Sequence, residues 1–293
     1  MKIFGKKRAA AADNTDQKEL TIEDLVTLER YEEAAVKLKA RLKVVPKDLH
    51  AHLKLAEVYL GLKNLDKALA EYTFVADSFA DDGFFDKGIA LLGKAAKLAP
   101  GDDTLPKRIE RYKRVKRLEE RRRLVIEGLM ANKSTVVAAA ANRALEVEMM
   151  WPSIARSHLV EQLEGEKLKK LFSVMGMRRT KEGEVVAEEG SSHQMLYLVV
   201  NGEIEALAAV GSQHFNIRSF STGDVIGEST LLERKPWPAR YQVKESGTVF
   251  ELSREGLQQA MIGNDDPVGF LSVLRQQNND RDVAANLHRL RAT

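Results

Sequence analysis

The sequence contains no cysteine, which excludes a disulfide framework, a thiolate metal site and a cysteine nucleophile, and suits a reducing compartment. No apolar run approaches the ~20 residues needed to span a bilayer. Met1-Lys2-Ile3-Phe4-Gly5-Lys6-Lys7-Arg8 carries charge with no apolar stretch behind it, so it does not read as a signal peptide, and a cytoplasmic location is expected. Catalytic signatures are missing as well. There is no glycine-rich loop ending in Gly-Lys-Ser/Thr, no Gly-x-Ser-x-Gly and no His-Glu-x-x-His. The six histidines are scattered: His50 and His52 lie two apart on an expected helix and cannot share a face, while His193 and His214 are expected in loops between strands. Neither a metal site nor an enzymatic activity is expected. A net charge of +3 over 293 residues is too small to argue for a nucleic-acid partner.

What is present reads as a folded chain. Apolar residues make up 44% and charged residues 30%, an ordinary globular composition, and 293 residues can hold two modest domains, each with a core. Residues 1–20 read as a disordered arm. Thr21-Ile22-Glu23-Asp24 is a capping-box pattern at a helix start. Tyr31, Ala34 and Leu38 then recur as Leu65, Ala68 and Tyr72, each displaced by 34 positions, with Leu55, Ala56 and Tyr59 on the helix between them and Pro46 closing the first unit. A period of 34 with alanine where helices cross resembles tetratricopeptide repeats, over residues 21–100. The third unit is irregular: Gly88 follows Ala68 by only 20, so one helix over 66–80 is expected to serve two units. The resemblance implies a protein partner bound on a concave helical surface. A scaffold that dimerises, giving a homo-oligomer, is the other reading.

Pro100-Gly101-Asp102-Asp103 breaks the chain, and a helical linker is expected over 101–150. Lys107 to Arg123 carries ten Lys or Arg against three Glu, with Ile109, Tyr112, Val115 and Leu118 stepping by three beneath the basic face. Such a face can engage nucleic acid or anionic lipid, but no aromatic interleaving accompanies it, and the plainer reading is a solvated connector paired along its own length. Trp151-Pro152-Ser153 is taken as the next boundary.

The C-terminal part is organised around Gly223-Asp224-Val225-Ile226-Gly227-Glu228-Ser229-Thr230 and the following Lys235-Pro236-Trp237-Pro238-Ala239-Arg240. Upstream, Leu196–Val200 and Glu203–Leu207 flank Asn201-Gly202, a strong hairpin signal. Leu168, Leu171, Phe172 and Met175 form a leading helix face, and Lys181–Val186 and Glu188–Gly190 read as glycine-punctuated strands. Together these features resemble the cyclic nucleotide-binding domain family. The fold expected for the whole chain is therefore multidomain α + β: an N-terminal helical repeat array, a long helical linker, and a C-terminal antiparallel jelly-roll-like β-roll with flanking helices. The roll is expected over 151–262 and a C-terminal helix over 263–293, the latter opened by Asp266-Pro267 and edged by Leu271, Leu274, Val283, Leu287 and Leu290.

The resemblance implies a cyclic nucleotide held by Gly227, Glu228, Ser229 and Thr230, the Glu accepting from the ribose and a later Pro-Arg placing a guanidinium on the phosphate. Here Pro236-Trp237 or Pro238-Ala239 stands where Pro-Arg belongs, with Arg240 one position late. A charge-assisted bond contributes about 1.5–3 kcal/mol, so its loss weakens binding roughly ten- to a hundred-fold. Three readings follow. Arg240 or Arg234 swings in and a cyclic mononucleotide binds; a different anion such as a cyclic dinucleotide binds, with Trp237 on a base; or the roll binds no nucleotide and is a contact module. Only about thirty residues follow Met261, so the DNA-reading helices carried by part of the family are not expected. The function expected is a non-enzymatic signalling or assembly adaptor with a sensor roll, the alternative a ligand-independent scaffold.

Overall fold

The first helix starts where its own first turn caps it. Thr21 Oγ1 accepts from Asp24 N at 3.1 Å and Thr21 N donates to the Asp24 carboxylate at 2.9 Å. The structure is a computed structural model and describes residues 20–131, 137–210 and 213–292. The arm over 1–19 and residues 132–136 of the expected linker lie outside the described residues. The chain divides into two compact units, Met1–Lys116 and Arg117–Thr293.

In the first unit, α1 (Ile22–Thr27), α2 (Tyr31–Val44), α3 (Leu49–Gly61), α4 (Leu65–Asp81) and α5 (Phe85–Leu98) follow one another across short loops, and each packs on the next. Ala34 and Ala68 are fully buried, as alanines must be where two helices approach closely. Asp48 and Asn64 cap α3 and α4 by accepting from Ala51 N and Lys67 N. The apolar interior falls into two clusters, one around Leu25, Leu38, Leu55 and Val58, the other around Tyr72, Leu92, Leu105 and Tyr112. A helical stack that packs neighbour on neighbour produces this pattern of small successive cores. The helix expected over 66–80 is α4.

α6 (Thr104–Ala131) is 28 residues long and carries the basic run. Carboxylates meet much of that charge: Arg108 and Tyr112 reach Asp77, Lys116 meets Asp86 at 2.6 Å, Arg122 meets Glu119 at 2.7 Å, and Arg123 meets Glu127 at 2.9 Å. α7 (Val137–Ile154) continues through Trp151-Pro152-Ser153, where the sequence suggested a boundary; Pro152 lies inside the helix near its C-terminal end and removes one backbone donor there. α8 (His158–Gln162) and α9 (Gly165–Val174) then lead into the sheet.

The strands are β1 (Gly176–Thr180), β2 (Val185–Ala187), β3 (Met195–Val210), β4 (Gln213–Phe220), β5 (Val225–Ile226) and β6 (Arg240–Ser253), with α10 (Glu228–Glu233) between the last two. They form one antiparallel six-stranded sheet in the order β1-β6-β3-β4, with β2 on β6 and β5 on β3. His214 lies in β4, not in a loop. The Asn201-Gly202 hairpin is also corrected. β3 runs straight through it, and the pairing with β6 shifts register at Val199/Asn201 and again at Asn201/Glu203. The dipeptide makes a bulge because Gly202 (φ 83°) faces Gly247, where a Cβ would lie 2.1 Å from Asn201 O.

α11 (Arg254–Met261), capped by Ser253, and α12 (Pro267–Arg275), capped by Asp266 with Pro267 in its first turn, follow the sheet. The single C-terminal helix expected over 263–293 is two. Asn278 takes a left-handed conformation (φ 55°), and α13 (Asn279–Ala292) starts afresh beyond it. Asparagine tolerates that conformation better than other side chains with a Cβ. Val283 and Leu287 of α13 are buried, and Val283 joins the core of the roll.

Candidate functional site

β5 ends at Gly227, whose φ of 87° and surroundings both demand glycine: a Cβ there would lie 2.1 Å from Met195 O. The turn aims the N–H groups of Gly227 and Ser229 into one small concavity. Asp280, the second residue of α13, places its carboxylate in that concavity. Gly227 N donates to Oδ1 at 3.1 Å, Ser229 N to Oδ2 at 3.1 Å, and Ser229 Oγ to Oδ2 at 2.9 Å. Tyr241, rising from β6, donates its hydroxyl to Oδ1 at 3.1 Å. Four donors thus converge on one carboxylate whose residue is 1% exposed. Charge-assisted bonds of this kind are the strong ones, and burial strengthens them.

Glu228 is buried beside it. Its Oε1 accepts from Asp280 N at 2.7 Å, while Oε2 is buried with no partner. Burial, and next the neighbouring Asp280 carboxylate, push the Glu228 carboxyl up to about 8, so at neutral pH it is mainly protonated. Burial and the same Asp280 charge raise the Tyr241 hydroxyl well above its usual value, keeping it a donor. Thr230 turns away from Asp280 and braces the turn, its hydroxyl lying 3.0 Å from Gly227 O and 3.2 Å from Met195 O.

The other two residues singled out from sequence lie elsewhere. Trp237 is 1% exposed, donates Nε1 to His193 O at 3.0 Å, stacks on the His193 ring at 5.1 Å and meets Tyr241 edge-on at 4.9 Å. It is part of the apolar filling of the roll. Arg240 turns to Glu188 at 3.3 Å, and its Nε is buried without a partner. Arg234 is exposed at the end of α10. The structure therefore brings Gly227, Glu228 and Ser229 to Asp280, keeps Thr230 as a brace of the turn, packs Trp237 against Gly227 from the apolar side and turns Arg240 to Glu188.

Sequence reasoning missed Asp280, Tyr241 and Asn279, whose side-chain amide donates to Val225 O. The one available signal was Asn278-Asn279-Asp280, a polar interruption in the apolar edge of the last helix. Among the described residues no group of three or more His, Asp or Glu is placed to hold a metal, and no helix is long and apolar enough to cross a membrane.

A family model described as the cyclic nucleotide-binding domain matches residues 177–264. Among solved structures the chain is similar to the regulatory domain of Toxoplasma gondii PKA, crystallised with cAMP (21% identity, 39% of this chain and 43% of that one, TM-score 0.35). It is also similar to a cyclic nucleotide-binding domain from Methylobacillus flagellatus (19%, 50% and 86%, 0.41) and to the catabolite activator protein of Thermus thermophilus (25%, 46% and 57%, 0.32). The chain spans less than half the length of the first of these. No curated protein matches it.

Proposed function

We propose, from the premise that this chain carries a cyclic nucleotide-binding domain at residues 177–264, that it is a non-enzymatic signalling or assembly adaptor whose roll senses an anion and whose helical array binds a protein. The observation that carries the sensor reading is the convergence of Gly227 N, Ser229 N, Ser229 Oγ and Tyr241 Oη on a single negative group. A site that stabilises one buried oxyanion in this way suits the phosphate of a cyclic nucleotide. Gly227, Glu228, Ser229 and Thr230 form its wall. Arg240 serves only if it leaves Glu188, and Trp237 only if the roll opens.

A second reading, a ligand-independent scaffold that contacts protein or a second copy through the roll, is favoured by the orientation of Arg240, which pairs with Glu188 and not with the seat. Calorimetry on the full chain with cyclic AMP, cyclic GMP and cyclic di-GMP separates the two. Micromolar binding that Ser229→Ala weakens at least tenfold supports the sensor. No heat with any of the three, together with an unchanged oligomeric state by light scattering after addition, supports the scaffold.

A further inference from the structure

We propose that Asp280 is an internal ligand of the roll: its carboxylate takes the place of an external oxyanion in the seat made by Gly227, Ser229 and Tyr241, and so pins α13 over that seat. A carboxylate and a phosphate diester offer the same thing to these donors, two oxygens sharing one negative charge. The contacts that hold Asp280 span more than fifty residues of sequence, from α13 back to the β5 turn, so they are tertiary ties and not local capping. Glu228 adds to the arrangement by accepting from Asp280 N, and its second oxygen is buried without a partner.

Asn279, next to Asp280, adds one more buried tie by donating its side-chain amide to Val225 O, and beyond these two residues α13 is fastened less specifically. Asp282 meets Arg218 at 2.7 Å and Arg291 meets Glu189 at 2.8 Å, both at the surface, and Arg281 pairs with Glu233 with half its side chain exposed. Exposed pairs of this kind add little. Val283 and Leu287 supply apolar contact but no directionality. The break at Asn278 separates α13 from α12, so α13 can detach without unwinding its neighbour. An external phosphate diester and α13 then compete for one seat, and ligand arrival is read out as release of the C-terminal helix. The identity of the outside ligand rests on the function proposed above; the internal ligation by Asp280 does not.

The test uses the full chain. Trypsin cleavage at Arg281, Arg289 and Arg291 reports on docking of α13, with and without cyclic AMP as the probe, in the wild type and in Asp280→Ala. Internal ligation predicts that Asp280→Ala speeds these cuts at least tenfold, and unchanged cutting overturns it. Should Asp280→Ala not fold, the double variant Ser229→Ala/Tyr241→Phe removes two of the four donors and leaves Asp280 in place. Faster cutting at the same three sites supports the proposal there, and wild-type protection overturns it. Calorimetry distinguishes the two failures. If Asp280→Ala releases α13 and binds cyclic AMP at least tenfold more tightly than the wild type, competition for the seat stands. If α13 is released but neither protein binds cyclic AMP, the internal ligand stands and the cyclic-nucleotide reading falls. If the wild type binds cyclic AMP as tightly as Asp280→Ala with α13 still protected, the two do not share a seat and the internal ligand is refuted.

Discussion

The helical array and the roll use polar groups in opposite ways. In the array many ion pairs lie at the surface: Arg30 meets Glu33 three residues away at 2.6 Å with both side chains about half exposed, and Lys54 of α3 meets the exposed Glu23 of α1 at 3.2 Å. In the roll the decisive polar contacts are buried and join distant segments, as Asp280 does with Gly227, Ser229 and Tyr241. The array is held by apolar contact between successive helices, so a lost charge there changes little. The roll concentrates its specificity in a few groups that water cannot replace, so it is the brittle half.

Both tryptophans, Trp151 and Trp237, lie in the unit Arg117–Thr293, so tryptophan emission follows that unit alone while far-ultraviolet circular dichroism follows helices throughout. The largest effect is expected for Gly227→Ala. A Cβ would need to displace Met195 O in a left-handed backbone, at a cost of about 3 kcal/mol. The urea midpoint of tryptophan emission should fall with the array's transition unmoved. Next is the converse, Ala68→Leu, which overfills a fully buried contact between helices and costs about 2 kcal/mol. It should lower the helical transition and leave tryptophan emission in place; a shift in both would show that the two regions unfold as one.

A smaller effect comes from pH. The raised Glu228 carboxyl binds its proton more tightly in the folded state, so its contribution is complete below the ordinary value of 4.5 and is lost as pH rises through about 8. Asp280 and Tyr241 face it, and Arg281 lies near enough to feel its charge. Raising the pH from about 7 to about 8.5 should cost the C-terminal unit about 1 kcal/mol, and Glu228→Gln should flatten that slope. If wild type and Glu228→Gln show the same slope, the buried acid is not what titrates. Smallest of all, Arg30→Ala in the array should change stability by no more than about 0.5 kcal/mol, measured by thermal melting of the helical signal.

The same contrast explains what could be read from sequence. Array helices announce themselves because their packing is local: Ala34 and Ala68 recur at the spacing where helices meet, and Thr21-Asp24 caps itself within one turn. The turn at Gly227 was legible for a related reason, since a single glycine conformation shapes it. Asn201-Gly202 misled because the two residues suit a tight turn, and only the partner glycine at 247, some forty-five positions on, makes the site a bulge instead. Asp280 was invisible. It looks like an ordinary first-turn acid of a polar helix, and nothing nearby in sequence says that its hydrogen-bond donors lie at the start of α10 and in β6. Arg240 was named for its charge, but the pairing of Ala187 with Tyr241 places Glu188 beside it and so decides where that charge goes.

α13 is anchored close to one end, and that geometry makes it a lever. Twelve residues extend past Asp280 to Ala292, an arm of roughly 18 Å at 1.5 Å per residue. Pivoting by about 10° at the anchored end would carry the tip through roughly 3 Å, enough to part Arg291 from Glu189. A displacement too small to see among the backbone amides of the β5 turn would thus become a change in surface charge pattern at the opposite extremity of the arm.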